Sequence, residues 1–270
     1  MVINPVRFAL RQSIIRNIIT SPFSPRRLSN LAVWLDAIDG GTLIFNGSTI
    51  SQWHNKGNMG VGSAVQANAI RQPLYVANAI NGKPALRGVH DGINNSRLDI
   101  ADSAGLDYTA FEVFAVVRRH TDAGGDEAIA YKHSSVAGQR EHRLAIGVND
   151  NIVLGVSPDG TVENFATSNA SVPAQTIGLN QPRILSANYN PELPSARSKV
   201  FVNNVQGDFP SLNPTSAFQG NLPYTLFSRS GDFFNGLRAD IGELMFFTRI
   251  LSSTERTQII TYLSNRWGIV

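Results

Sequence analysis

Residues 237–270 constrain the fold of this chain more than any other stretch. Leu237, Ala239, Ile241, Met245 and Phe247 recur with a period of two, while Leu244 and Phe246 fill the opposite face, the pattern of a strand covered on both sides. The period then changes. Ser252 precedes Glu255 by three positions, a capping box that satisfies free N–H groups at a helix start, and Ile259, Leu263 and Trp267 follow on one helical stripe. Gly268 supplies the stop. A doubly buried strand and one amphipathic helix, ending an otherwise helix-poor chain, predict a helix that closes over one face of a β-sandwich.

A chain of 270 residues can bury a large core without covalent staples. It contains no cysteine, which excludes disulfides, thiolate metal sites and cysteine nucleophiles. The formal charge of +3 is unevenly placed: residues 1–27 carry five arginines and no acid, a charge of +5 that leaves −2 on the rest. A slightly acidic body does not suit a nucleic-acid groove, which needs clustered Lys and Arg to displace counterions. No apolar run approaches the roughly 20 residues required to cross a bilayer, so no membrane insertion is expected.

Residues 1–27 form a separate arm and linker, and 28–270 the sandwich. Arg7, Arg11 and Arg16 interrupt every apolar stretch of the arm, which argues against a cleaved signal peptide. Read as a strand, Val6, Phe8 and Leu10 share one face and Arg7 and Arg11 the other; Ile14, Ile15 and Ile18 extend the apolar content. Pro22 and Pro25 stiffen the join to the body. The arm is therefore expected to dock on another subunit, its apolar side chains buried and its arginines facing acids. The plainer alternatives are a first strand packed on its own domain, or a frayed terminus.

Within the body, short β-prone runs at 111–119, 127–131, 142–148, 152–156, 162–165, 183–189, 199–202 and 224–227 are separated by turn signals. Among the turns are Asn149-Asp150-Asn151 and Pro158-Asp159-Gly160. Residues 54–72 show no sustained period and read as a long loop. The order Trp34-Leu35-Asp36-Ala37, Trp53, Lys56-Gly57, Gln66, Arg71-Gln72-Pro73, Asn81-Gly82-Lys83-Pro84 and Leu98 resembles that of concanavalin A-like, laminin-G-like domains. The version it is most similar to occurs in bacteriophage virion proteins and bacterial surface proteins. Ala239 to Phe246, Arg249 to Glu255 and Tyr262 to Ile269 carry the most specific part of the resemblance, which spans residues 31–270. It implies a mainly β, concanavalin A-like jelly-roll sandwich with a short C-terminal helix and an extended N-terminal arm.

Candidate chemistry is sparse. Trp34 and Trp267 sit on apolar stripes and are expected in the core. Trp53 heads a polar turn, so Trp53, His54 and Asn94 are candidates for contact with carbohydrate. Glu243, in phase with Ile241 and Met245, must be paired, hydrogen-bonded or protonated if buried. A structural pair with Arg249 or Arg266 is the simplest reading, because glycoside hydrolysis needs a second, spaced carboxylate and the acidic cluster of related glucanases is incomplete here. The five histidines show no metal-site spacing. No cofactor is expected apart from calcium, which the resembled domains sometimes hold and for which Asp36, Asp39 and Asp91 are candidate ligands; turn chemistry accounts for them equally well.

These features lead to the expectation of a non-enzymatic structural or adhesive protein on the surface of a phage-type particle. It would be part of an oligomeric assembly, anchored to other virion subunits by its arm and recognising glycans or a host surface. A purely architectural decoration protein is one alternative, and a glycan hydrolase or lyase using Glu243 is another.

Overall fold

The computed structural model describes residues 23–91, 94–121, 124–230 and 236–270. In chain order the strands are β1 (Leu31–Asp36), β2 (Leu43–Asn46), β3 (Thr49–Trp53), β4 (Ala64–Val65), β5 (Leu74–Ile80), β6 (Lys83–Arg87), β7 (Leu98–Ile100), β8 (Phe111–Arg119) and β9 (Glu127–His133). They continue as β10 (Arg140–Ile146), β11 (Ile152–Val156), β12 (Asn164–Thr167), β13 (Pro182–Tyr189), β14 (Ser198–Val202), β15 (Val205–Gln206), β16 (Tyr224–Leu226) and β17 (Ala239–Phe247). One α-helix, α1 (Ser253–Trp267), follows.

All pairings are antiparallel, and the strands fold into two layers. Layer one runs β15–β14–β13–β8–β17, with β1 and β6 sharing the far edge of β17. Layer two runs β12–β11–β10–β9–β16–β7–β4–β3–β2. Strand β5 pairs with both β3 and β6 and carries the chain between layers. The main core lies between them, where Val113, Ala115 and Val117 of β8 and Leu244 and Phe246 of β17 face Leu144 and Ile146 of β10 and Leu154 of β11. The expected mainly β sandwich with one C-terminal helix is the fold observed.

The alternation in β17 breaks once. A bulge lies between Ile241 and Glu243, so Leu237, Ala239 and Ile241 enter the core, as do Leu244 and Phe246 after it. Met245 and Phe247 turn to the outer face, beneath α1. This corrects the expectation that Met245 continues the Ile241 face: a bulge adds one residue and reverses every later side chain. Gly242 occupies the break, and a Cβ there would lie 2.4 Å from Trp267 Cη2.

Helix α1 packs Ile259, Leu263 and Trp267 on Phe114, Ile184, Met245 and Phe247. Burial of each of the three contributes about 1.5–3 kcal/mol. Its start is the predicted capping box, with Glu255 N–H donating to Ser252 Oγ at 3.3 Å and Ser252 N–H to Glu255 Oε2 at 2.9 Å. Gly268 ends it at φ 63°, the left-handed conformation that favours glycine. Arg256 fastens the helix to β8 and β13 through Glu112 and Ser186.

The segment read as a loop over 54–72 contains β4. It is held by side chains rather than by an apolar period: Gln72 Nε2 donates to the Gln66 carbonyl at 2.8 Å, and Gln66 Nε2 to that of Arg97 at 3.0 Å. At the near end, Pro25 is buried and the Phe23 ring meets Tyr262 edge-on at 6.1 Å. The arm residues Val6, Arg7, Phe8, Leu10, Arg11, Ile14, Ile15 and Ile18 lie outside the described residues.

Candidate functional site

Glu243 is a junction, not an open carboxylate. Its Oε1 accepts from Trp34 Nε1 at 2.7 Å and from the Tyr262 hydroxyl at 3.1 Å, while Oε2 accepts from Trp267 Nε1 at 2.7 Å. Arg266 Nε approaches Oε2 at 3.5 Å, and Glu243 is 1% exposed. Burial and the neighbouring Asp36 charge push its carboxyl up to about 7, against the lowering effect of the indole donors and Arg266. Of the two expected partners, Arg266 is present, whereas Arg249 pairs with Glu255 at 2.6 Å. The nearby acid, Asp36, is equally enclosed and binds Lys56 at 3.0 Å and Arg266 at 2.7 Å. Both carboxylates are buried and engaged by protein donors, unlike the open, spaced acid pair that glycoside hydrolysis uses.

The other singled-out residues do not converge. Trp53 is fully buried in the core between the layers, which removes its ring from any ligand. His54 Nδ1 lies 3.2 Å from Gln52 Nε2 and 3.3 Å from Ser63 Oγ. Asn94 gives its N–H to Asp91 Oδ1, a turn contact. Asp36 and Asp39 both point at Lys56 Nζ, at 3.0 and 2.8 Å, so two of the three candidate calcium ligands face an ammonium group, while Asp91 accepts the Asn94 N–H. Among the described residues there is no group of three or more acids and histidines able to hold a metal ion. Trp34 and Trp267 are core residues, as expected, and Lys56 caps the Trp34 ring at 4.2 Å.

A different set of residues does converge, at the edge where β12 meets the chain that follows β15. Thr167 and Phe209 exchange backbone hydrogen bonds of 2.9 and 3.2 Å, which closes the two layers together at this point. The β10–β11 turn brings up Asn149 and Asn151, with Asp150 between them in the left-handed conformation at φ 64°. The loop after β12 adds Ser168, Asn169 and Ser171. Together they line an open cleft of about 500 Å³ beside the Phe209 ring, which is 55% exposed.

Some of these side chains are fixed and others are free. Ser168 Oγ donates to the Gln175 carbonyl at 2.7 Å and accepts from Ile152 N–H at 3.1 Å. Asn169 Oδ1 accepts from Ser171 N–H at 3.0 Å, and its Nδ2 donates to Asp208 Oδ2 at 2.9 Å. Among the described residues, the amides of Asn149 and Asn151 and the hydroxyls of Thr167 and Ser171 have no protein partner. Their donors and acceptors are available to a ligand in the cleft. Sequence reading placed Asn149 and Asn151 in a turn rather than in a carbohydrate site and missed Phe209, which an isolated apolar position between Asp208 and Pro210 could have flagged.

No family model and no curated protein sequence matches this chain. Solved structures do match. The binding domain of botulinum neurotoxin serotype G superposes with a TM-score of 0.63 at 11% identity, over 88% of this chain and 54% of that one. The binding domain of Paraclostridial mosquitocidal protein 1 gives 0.61 at 12% identity, over 91% and 56%. Domain 4 of AbnA, a GH43 extracellular arabinanase from Geobacillus stearothermophilus, solved in complex with arabinotriose, gives 0.55 at 16% identity. The match spans about half the length of the two toxin domains but 98% of the arabinanase domain. At these identities the likenesses show the fold, an antiparallel β-sandwich of the kind seen in those domains.

Proposed function

We propose that this protein is a non-enzymatic carbohydrate-recognition domain whose binding site is the Phe209 cleft. The observation that carries this reading is the set of unpartnered amides and hydroxyls around one exposed ring: sugars present hydroxyls at their edges and C–H faces that pack on aromatic rings. The similar arabinanase domain, solved with arabinotriose, supports a sugar as the ligand class. The enclosure of Glu243 supports a binding rather than a hydrolytic role.

Display on a phage-type particle, with residues 1–27 as the anchor and 28–270 as the presented domain, is the finer part of the proposal. Its support is the charge of +5 on the arm and the sequence resemblance to virion domains. Removing the arm is expected to leave a folded body that no longer joins its assembly.

The cleft is tested by a glycan-array screen of the full chain, followed by titration calorimetry on the best ligand. Phe209→Ala and Asn151→Ala are each expected to weaken binding at least about tenfold with the melting temperature unchanged, the loss typical of one buried anchor. Absence of any glycan binding, or binding indifferent to both substitutions, overturns the assignment and leaves an architectural role.

A further inference from the structure

The electrostatics of the cleft narrow its ligand class. None of its lining residues is Lys, Arg or His. Two carboxylates flank it instead, Asp150 between Asn149 and Asn151 and Asp208 immediately before Phe209. They differ in how their charge is met. Asp150 Oδ1 accepts from Arg119 Nη1 at 2.8 Å and its Oδ2 from Gly178 N–H at 2.8 Å. Arg119 also serves the buried Glu127 at 2.7 Å, and Arg183 lies within electrostatic range of Asp150, so two guanidiniums oppose the Asp150 charge.

Asp208 is met by amides. Gln175 Nε2 donates to Oδ1 at 2.6 Å and Asn169 Nδ2 to Oδ2 at 2.9 Å. These bonds, Gln175 first and Asn169 second, hold its carboxyl below the usual range, so it is ionised at neutral pH. Amide donors fix a carboxylate without cancelling its charge. Asn169 lines the cleft, which puts that charge one hydrogen bond behind the lining.

We infer that the cleft selects uncharged glycans and rejects sialylated or sulfated ones, with Asp208 as the residue that sets the discrimination. This rests on the proposed glycan recognition and deepens it. An anionic sugar in the cleft would meet a like charge with no lining cation to pair with, and unpaired charge is an effective means of excluding wrong ligands. Neutral sugars lose nothing, because their hydroxyls use the free amides and hydroxyls. Asp208 also works indirectly by orienting Asn169, so charge and positioning must be separated in the test.

The experiment measures the full chain against matched pairs of neutral oligosaccharides and their sialylated or sulfated derivatives, at low and high salt. Wild type is expected to prefer the neutral member by about tenfold or more at low salt, with the preference shrinking as salt screens the carboxylate. Asp208→Asn retains an acceptor oxygen for one amide and is expected to narrow the preference at least about fivefold, mainly by improving the anionic member. Equal or tighter binding of the anionic member by wild type overturns the inference while glycan recognition stands. So does a preference that neither salt nor Asp208→Asn changes. Failure of wild type to bind any member of any pair overturns both.

Discussion

Trp267 Nε1 donates to Glu243 Oε2 at 2.7 Å, which ties the last turn of α1 to the strand beneath it just past the bulge in that strand. Trp34 Nε1 on β1 reaches the other oxygen of the same carboxylate at the same distance. One side chain thus links two adjacent strands and the helix that covers them.

Glu243→Gln is expected to destabilise the domain by about 1–3 kcal/mol, because an amide NH₂ placed against Trp267 or Trp34 opposes donor to donor. Urea unfolding at pH 5.5 checks this, with the midpoint lowered and the slope unchanged. A variant as stable as wild type would show that the indole contacts contribute nothing net.

The same carboxyl gives a pH signature. Its folded-state value of about 7 lies above the ordinary 4.5, so the folded state holds the proton more tightly than the unfolded chain. The stabilisation this provides is full below about pH 4.5 and is lost as pH rises through about 7. The stability advantage of wild type over Glu243→Gln should therefore shrink from pH 4.5 to 7.5; an advantage that grows over that range contradicts the sign.

Gly242→Ala places a methyl 2.4 Å from Trp267 Cη2 and 2.7 Å from Cζ3. The indole is held at its nitrogen by Glu243 and cannot withdraw without breaking that bond. A loss of about 3 kcal/mol is expected, at the upper end for overpacking, accompanied by red-shifted tryptophan emission. Unchanged emission together with unchanged melting would mean that the helix can slide.

Ser252→Ala removes the acceptor for Glu255 N–H and should cost about 1 kcal/mol, read as a lowered melting temperature. Glu255 is also bound by Arg249 at 2.6 Å, so its own loss should cost more than that of Ser252. The reverse order would assign the capping energy to the serine alone.

Much of the fold was legible because it is written in local patterns. Ser252, Glu255 and Gly268 mark both ends of α1 by short-range hydrogen bonding, and β8 and β17 announce themselves by apolar residues on both faces of one extended stretch. The bulge was not legible, since only Gly242 marks it and a glycine inside a strand has several meanings. The β2–β3 hairpin escaped notice because Ile44 and Phe45 are exposed, which blurs the alternation. The cleft was hidden for a different reason: its residues come from segments near 150, 169 and 209, which the β11–β12 pairing and the Thr167–Phe209 bridge bring together. Apolar periodicity reports burial in one element, whereas a site of free amides depends on which loops the topology makes neighbours.

The contact between Phe23 and Tyr262 carries an architectural consequence. It sets the point where the chain enters the described body beside the helix that ends it, on the outer side of layer one. A pull on the chain at Phe23 would therefore load the middle of α1 and the outer cluster beneath it before it reached the core between the layers.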